Sequence, residues 1–307
     1  MGNSLDVKDI ELQARGRWPS IFEALGIEVI TDKKHHPCVL CGGTDRWRYT
    51  NLNGDGMYLC NQCGAGTGFS LVRKVFGLTF PETLEKVNNV LGGCSKMETE
   101  KKIDIAKVKE MLNKIWKESV PLTGSDPVSL YLHSRKLTLT PENIRYCPEL
   151  YETDTKKHYP AMVAMVMNSK GIPVALHRTY LSRDVIGKAD IESPKKLTPG
   201  TEPLSGCAIR LFPAKGDTLA VAEGIETSIA CMQIFDIPTW ACVSNTILEG
   251  FIVPEGIRKI IICSDNDANM VGQLSAYKLA NRLYKADFLV DVRVPEVANS
   301  DWADTIL

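Results

Sequence analysis

The chain has 307 residues, and several things are missing from it. No apolar run approaches the length of about 20 residues that a membrane-spanning helix needs. Met1-Gly2-Asn3-Ser4-Leu5-Asp6 offers no basic segment followed by an apolar one, so no secretion signal is expected. Asp6 stands where a myristoylation signal requires Ser or Thr. No Gly-x-x-x-x-Gly-Lys-[Ser/Thr] occurs, which excludes a P-loop helicase motor. Neither sign of charge is in excess: the net value is −1, so only local patches bear on nucleic-acid binding. What is present, 44% hydrophobic and 24% charged residues, is the composition of a globular protein with room for two or three domains.

Cysteine, by contrast, is plentiful, with ten in the chain. Four fall in two tight pairs, and others, such as Cys231, Cys242 and Cys263, sit in apolar segments. That usage points to a reduced, cytoplasmic protein with one metal site rather than to a disulfide framework. Cys38-x-x-Cys41 and Cys60-x-x-Cys63 are separated by eighteen residues. Each pair presents two thiolates, and together they close a tetrahedral four-cysteine site for one structural Zn²⁺. Iron–sulfur ligation is the alternative, disfavoured because no redox-partner motif accompanies the pairs. Gly42-Gly43 and Gly64 follow the knuckles, where the chain must turn. Residues 46–50 and 56–59 read as strands joined by a turn at Asn53-Gly54-Asp55-Gly56, which makes a zinc ribbon. Alternation along a strand puts Arg46 and Arg48 on one face and Trp47 and Tyr49 on the other. The two arginines are candidates for contacts to nucleic-acid phosphates. His35 and His36 are read as surface or bracing residues, not ligands.

A second chemistry lies toward the C-terminus. The apolar run 219–222 ends in Glu223-Gly224-Ile225-Glu226-Thr227, and the run 260–263 ends in Ser264-Asp265-Asn266-Asp267. Each is followed by a segment of helical character, at 227–235 and 268–284. Strand, acid-bearing turn and helix, twice over, predict a parallel α/β sheet. The carboxyl ends of such strands form the functional crevice, where Glu223, Asp265 and Asp267 converge. Converging carboxylates repel unless a cation neutralises them, and Mg²⁺ or Mn²⁺ suits such a set. Glu226, one residue past Ile225, is expected to face solvent or cap the helix.

Between these two regions, 69–91 reads as one amphipathic helix and 94–102 as a polar linker. Residues 103–120 and 129–136 read as helices, and Pro141 and Pro148 punctuate the loop after them. Residues 161–167 and 174–181 form a hairpin. From 156 to 215 basic residues outnumber acidic ones. Arg178, Lys188, Lys195 and Lys196 lie in this stretch and are candidates for a cleft wall that holds polyanions, nucleic acid or nucleotide. The helix 269–282 is expected to turn Leu274, Tyr277, Leu279 and Leu283 inward.

The Glu-Gly and Asp-x-Asp pair, over 216–294, resembles the TOPRIM domain of primases, topoisomerases and some nucleases. His36-Pro37-Cys38, Cys41-Gly42-Gly43-Thr44-Asp45-Arg46-Trp47-Arg48 and Cys60-Asn61-Gln62-Cys63-Gly64 resemble the zinc ribbon of primases from satellite phages and related mobile elements. Trp47 stands where that family usually carries Phe, and Val39 where it often carries Pro. His177-Arg178-Thr179-Tyr180-Leu181, Gly187-Lys188-Ala189 and Lys195-Lys196 are similar to the family's basic half of the polymerase core. Asp301-Trp302-Ala303-Asp304 is similar to its closing motif, which would bring Asp301 toward the metal site.

The expected fold is α/β with an α+β N-terminal part: a four-cysteine zinc ribbon joined to a DnaG-like primase core that ends in a parallel-sheet TOPRIM domain. The expected modules are 1–93 (helices and ribbon, template binding), 94–102 (linker), 103–215 (basic subdomain) and 216–307 (TOPRIM). The resemblance implies a DNA primase, a nucleotidyltransferase that makes short RNA primers from NTPs on single-stranded DNA for a phage, plasmid or other mobile element. Glu223, Asp265 and Asp267 would be its catalytic metal ligands. Many relatives fuse primase to helicase, which implies a separate replicative helicase as partner here. The alternatives are a TOPRIM-type nuclease and a non-catalytic DNA-binding recombination factor. A topoisomerase is disfavoured because the chain is too short for tyrosine-bearing gate domains.

Overall fold

The computed structural model describes residues 7–32, 34–92 and 104–306; the linker expected at 94–102 lies outside them. The chain divides into two units, Met1–Ile103 and Asp104–Leu307.

In the first unit, α1 (Val7–Ala14) and α2 (Trp18–Ala24) precede a three-stranded antiparallel sheet of β1 (Trp47–Tyr49), β2 (Tyr58–Cys60) and β3 (Gly64–Gly66). Two helices follow, α3 (Gly68–Phe76) and α4 (Phe80–Leu91). The single helix expected over 69–91 is therefore two. Gly77 takes a left-handed conformation (φ 65°) that ends α3, and Thr79 with Glu82 forms a capping box that starts α4. Trp18, Phe22, Trp47, Tyr58, Leu71 and Val87 form the core of this unit. The Trp47 ring stacks on Tyr58 with centroids 4.3 Å apart. Gly68 has to be glycine, because a Cβ there would lie 2.0 Å from the Trp18 ring.

In the second unit, α5 (Ile105–Glu118), β4 (Val120–Pro121) and α6 (Pro127–Ser134) lead into the long strands β5 (Ile144–Glu152), β6 (Lys157–Met167) and β7 (Pro173–Tyr180). Short strands β8 (Lys195–Leu197) and β9 (Ala208–Ile209) come next. The chain then runs β10 (Thr218–Ala222), α7 (Ile225–Phe235), β11 (Thr239–Ala241), α8 (Asn245–Glu249), β12 (Lys259–Cys263), α9 (Val271–Tyr284) and β13 (Leu289–Arg293). Among the described residues these strands form one ten-stranded sheet, ordered β13-β12-β10-β11-β9-β6-β5-β4, with β7 on β6 and β8 on β7. β11, β10, β12 and β13 are mutually parallel, and the strands around β6 are antiparallel. The α/β reading holds, and its parallel part has the continuous apolar strands that burial on both faces requires. On one face α8 and α9 cover Leu219, Val221, Ile260 and Ile262, and on the other Cys231 of α7 packs with Ala220, Ala222 and Ile261.

Two local expectations need correction. The stretch marked by Pro148 is strand β5, not loop. Its pairing with β6 shifts register between Cys147 and Leu150, so the residue that cannot donate to the ladder sits in the irregularity. On α9, Leu279 and Leu283 are buried with Ala276, but Leu274 and Tyr277 are 56% and 59% exposed. The inward stripe includes small residues, which an apolar count overlooks.

Candidate functional site

The first site belongs to the ribbon. Cys38 and Cys41 lie on the turn before β1, Cys60 ends β2, and Cys63 precedes β3. Their four sulfurs lie within 4.8 Å of one another. The Cys38–Cys63 and Cys41–Cys60 separations are both 3.9 Å. A tetrahedron with Zn–S bonds of about 2.3 Å has edges of about 3.8 Å, so the cage already has the dimensions of a zinc site. Backbone N–H groups of Leu40 and Cys63 donate to the sulfurs of Cys38 and Cys60 at 3.4 and 3.3 Å. Gly42 and Gly64 hold φ values of 71° and 79° in the turns behind the knuckles. The residues present fit structural zinc. His36 instead bridges to Trp47 through its backbone and places its ring 2.6 Å from Asp32.

On β1 the faces alternate. Trp47 and Tyr49 are buried, Arg46 is exposed and hydrogen-bonds Gln62, and Arg48 is half-buried with its Nε unpartnered.

The second site sits at the carboxyl ends of β10 and β12. These strands are parallel neighbours with Ala222 opposite Cys263, so Glu223 and the Ser264–Asp267 turn emerge side by side. The backbone around them is held tightly. Val243, just past β11, donates its N–H to the Glu223 carbonyl at 2.7 Å. It does so with φ at 56°, a conformation that a β-branched residue adopts only under strain of about 1–3 kcal/mol. Asp267 accepts the Gly272 N–H at 3.1 Å at the start of α9, and Asn266 is anchored to the Pro295 carbonyl at 2.8 Å.

The electrostatics of this crevice are unbalanced. Burial pushes the Glu223 carboxyl up to about 7, with the charge of Asp267 adding to it. Burial also pushes Asp265 up to about 7, reinforced by Glu223, Asp301 and Asp267. The Oδ1 atom of Asp265 is buried without a hydrogen-bond partner. Among the described residues only the four cysteines form a cluster tight enough to have all ligand atoms within 4.8 Å, so the three carboxylates are spread more widely than a closed cage. Hard oxygen donors, an orphaned carboxylate oxygen and open spacing fit a magnesium-type ion that keeps water and phosphate oxygens in its shell. Asp301 caps the turn at Trp302–Thr305 and accepts from the Ala303 and Asp304 N–H groups.

The basic residues do not form one wall. β7 and β8 pair with Arg178 opposite Lys196 and Thr179 opposite Lys195. Neighbours on a strand point to opposite faces, so Arg178 and Lys196 share one face and Lys195 takes the other. Lys196 pairs with Glu152, which is fully buried, and lies 2.6 Å from Asp154. Arg178 donates to the Leu197 carbonyl at 3.1 Å and to the Tyr180 hydroxyl at 3.2 Å.

Lys188 and Lys195 meet instead on Glu226, which is buried rather than facing solvent. The expectation for Glu226 fails because the space past the first turn of α7 is filled by α6, β7 and β8. Its carboxylate accepts from Lys195 Nζ at 3.0 Å and from the Tyr131 hydroxyl at 2.7 Å, with Lys188 Nζ at 3.6 Å. Burial would raise this carboxyl, but the Lys195 and Lys188 charges and the Tyr131 hydroxyl hold it far below the usual range. His177 is also buried, and burial with the nearby Lys195 charge lowers its pKa to about 4. No spacing in the sequence announces Tyr131.

Residues 33–69 match the family described as the zinc-binding domain of primase-helicase, and residues 218–307 match the Toprim domain. Residues 106–211 match a domain described as of unknown function. Among solved structures, the Aquifex aeolicus primase (zinc-binding and RNA polymerase domains) is similar at 13% identity and TM-score 0.43, over 96% of this chain and 81% of that one. The primase fragment of the bacteriophage T7 primase-helicase is similar at 14% identity and TM-score 0.37, over 88% and 92%. The RNA polymerase domain of Mycobacterium tuberculosis primase is similar at 15% identity and TM-score 0.41, over 65% and 77%.

Proposed function

From a chain that joins a primase-type zinc ribbon to a Toprim domain, we propose a DNA primase that makes short RNA primers on single-stranded DNA for a phage, plasmid or other mobile element. The observation that carries this reading is the pairing of two opposites at one crevice. Glu223 and the Asp265 turn emerge from adjacent strands, and Glu226, three residues after Glu223, holds Lys188 and Lys195. That combination suits a metal-bound triphosphate better than the carboxylates alone would.

In this reading Glu223, Asp265 and Asp267 hold Mg²⁺ or Mn²⁺. The bound ion would supply charge neutralisation at the α-phosphate and at the departing pyrophosphate. Lys188 and Lys195 take the triphosphate oxygens, while Arg46 and Arg48 hold the template backbone. The primer's 3′ hydroxyl gives up its proton to water as its oxygen forms the new bond to the α-phosphorus and the bond to pyrophosphate breaks. Arg178 and Lys196 fall outside this nucleotide site. The proposed modules are 1–93 for template capture, 94–102 as linker, 103–215 as basic subdomain and 216–307 for catalysis, with a separate helicase as partner.

The test is incubation with labelled NTPs, single-stranded DNA and Mg²⁺ or Mn²⁺, with products resolved by length. A ladder of short RNA that requires template supports the reading. Template loss without nucleotide incorporation would instead establish a nuclease.

A further inference from the structure

We propose that Glu226 is a positioning residue that sets Lys188 and Lys195 as a single cationic seat for the triphosphate of an incoming nucleotide, an inference that rests on the primase reading. The carboxylate is on the first turn of α7, three residues after Glu223, and is 3% exposed. The side chains it holds are not buried with it: Lys188 is 31% exposed and Lys195 40%. Each carboxylate oxygen has its own cation, Oε1 facing Lys188 at 3.6 Å and Oε2 accepting from Lys195 at 3.0 Å. The Tyr131 hydroxyl, from α6, donates to Oε1 at 2.7 Å and fixes the rotation of the group.

Three physical points favour a seat over a structural clasp. First, a buried carboxylate is a poor way to hold a fold, since apolar groups of equal volume are commonly as stabilising or more so. Second, two ammonium groups confined to one small volume repel, and one buried anion between them offsets that repulsion. Third, an ammonium has three donors. Lys195 gives one to Glu226 and keeps its partly exposed head for a ligand. Because Glu226 and Glu223 share the entry to α7, the seat is tied to the carboxylate crevice through one turn of backbone. A triphosphate bridging the two would contact cations at one end and metal at the other.

The experiment measures binding of a fluorescent ATP analogue with Mg²⁺ and no template, beside KM and kcat for primer synthesis. The proteins are wild type, Glu226→Gln, Glu226→Asp and Tyr131→Phe, each checked for folding by thermal melting. Glu226→Gln is expected to weaken nucleotide binding and raise KM by about tenfold or more, as loss of a positioning partner commonly does. Single-stranded DNA affinity should hold, and kcat should change far less than KM. Glu226→Asp should recover part of the loss because it keeps the charge. A folded Glu226→Gln protein that binds nucleotide like wild type overturns the seat. If Glu226→Gln does not fold, Tyr131→Phe decides: weaker nucleotide binding supports the seat, and wild-type binding overturns it. Nucleotide binding that depends on Glu226, in a protein that makes no primer, would sink the primase reading and keep the seat. A wild type that binds no nucleotide would sink the seat itself.

Discussion

Asp265→Asn is expected to make the metal-free protein more stable while removing its response to magnesium. In the folded chain the Asp265 carboxyl is raised from 3.8 to about 7, so ionising it there is opposed by burial and by Glu223, Asp301 and Asp267. A displacement of about three pH units, at about 1.4 kcal/mol each, corresponds to about 4 kcal/mol. Burial is the largest cause and stays with Asp265, while the repulsion from Glu223, Asp301 and Asp267 is shared with those groups, so about half of this, about 2 kcal/mol, belongs to Asp265 alone. The sign follows from proton counts. Between pH 4 and 7 the folded state keeps a proton that the unfolded state has lost, so wild-type stability falls as pH rises through that window. Asn carries no such penalty. At pH 8 in chelator its melting temperature should exceed wild type by about 4–8 °C for a unit of roughly 200 residues, and the gap should close toward pH 4. Saturating Mg²⁺ should stabilise wild type, by about 2.7 kcal/mol at a hundredfold excess over Kd, and the variant far less. Differential scanning calorimetry across pH 4–8, with and without Mg²⁺, reads all of this. An Asp265→Asn protein that melts at or below wild type in chelator at pH 8 would refute the picture of unneutralised, crowded carboxylates.

Elemental analysis should find one zinc per chain, and Cys38→Ser should release it and unfold the ribbon locally, since such sites are folded by their metal. The melting transition of the Asp104–Leu307 unit should stay in place. Arg46→Ala with Arg48→Ala should weaken single-stranded DNA binding and flatten its salt dependence, by about 0.7 in log–log slope for each phosphate no longer neutralised; an unchanged slope would mean that these arginines are only solvated. Lys196→Ala should cost about 3 kcal/mol or more of stability, because buried Glu152 loses its cation, yet leave KM for nucleotide unchanged. A raised KM in that variant would return Lys196 to the nucleotide site.

The four-cysteine cage and the convergence of Glu223 with the Asp265 turn are legible in the sequence because both are local. Two Cys-x-x-Cys pairs, and acids at the ends of apolar strands, state their geometry within a few residues. What escaped reading depends on register and on distant neighbours. Lys195 and Lys196 are adjacent in sequence and serve opposite faces, which only the pairing of β8 with β7 reveals. Glu226 reads as a solvent-facing helix residue because nothing near it in sequence shows that Tyr131, Lys188 and Lys195 close over it. Pro148 reads as a loop marker because the bulge that tolerates it belongs to the pairing with β6.

The measurement that tests the central claim most directly is the rate at which Asp265→Asn incorporates labelled NTPs on single-stranded DNA, with DNA affinity measured on the same preparation. If Asp265 holds the metal as proposed, its loss is expected to slow primer synthesis by a factor of about 10² or more, while DNA binding persists or tightens. Primer synthesis by Asp265→Asn at the wild-type rate would contradict the account.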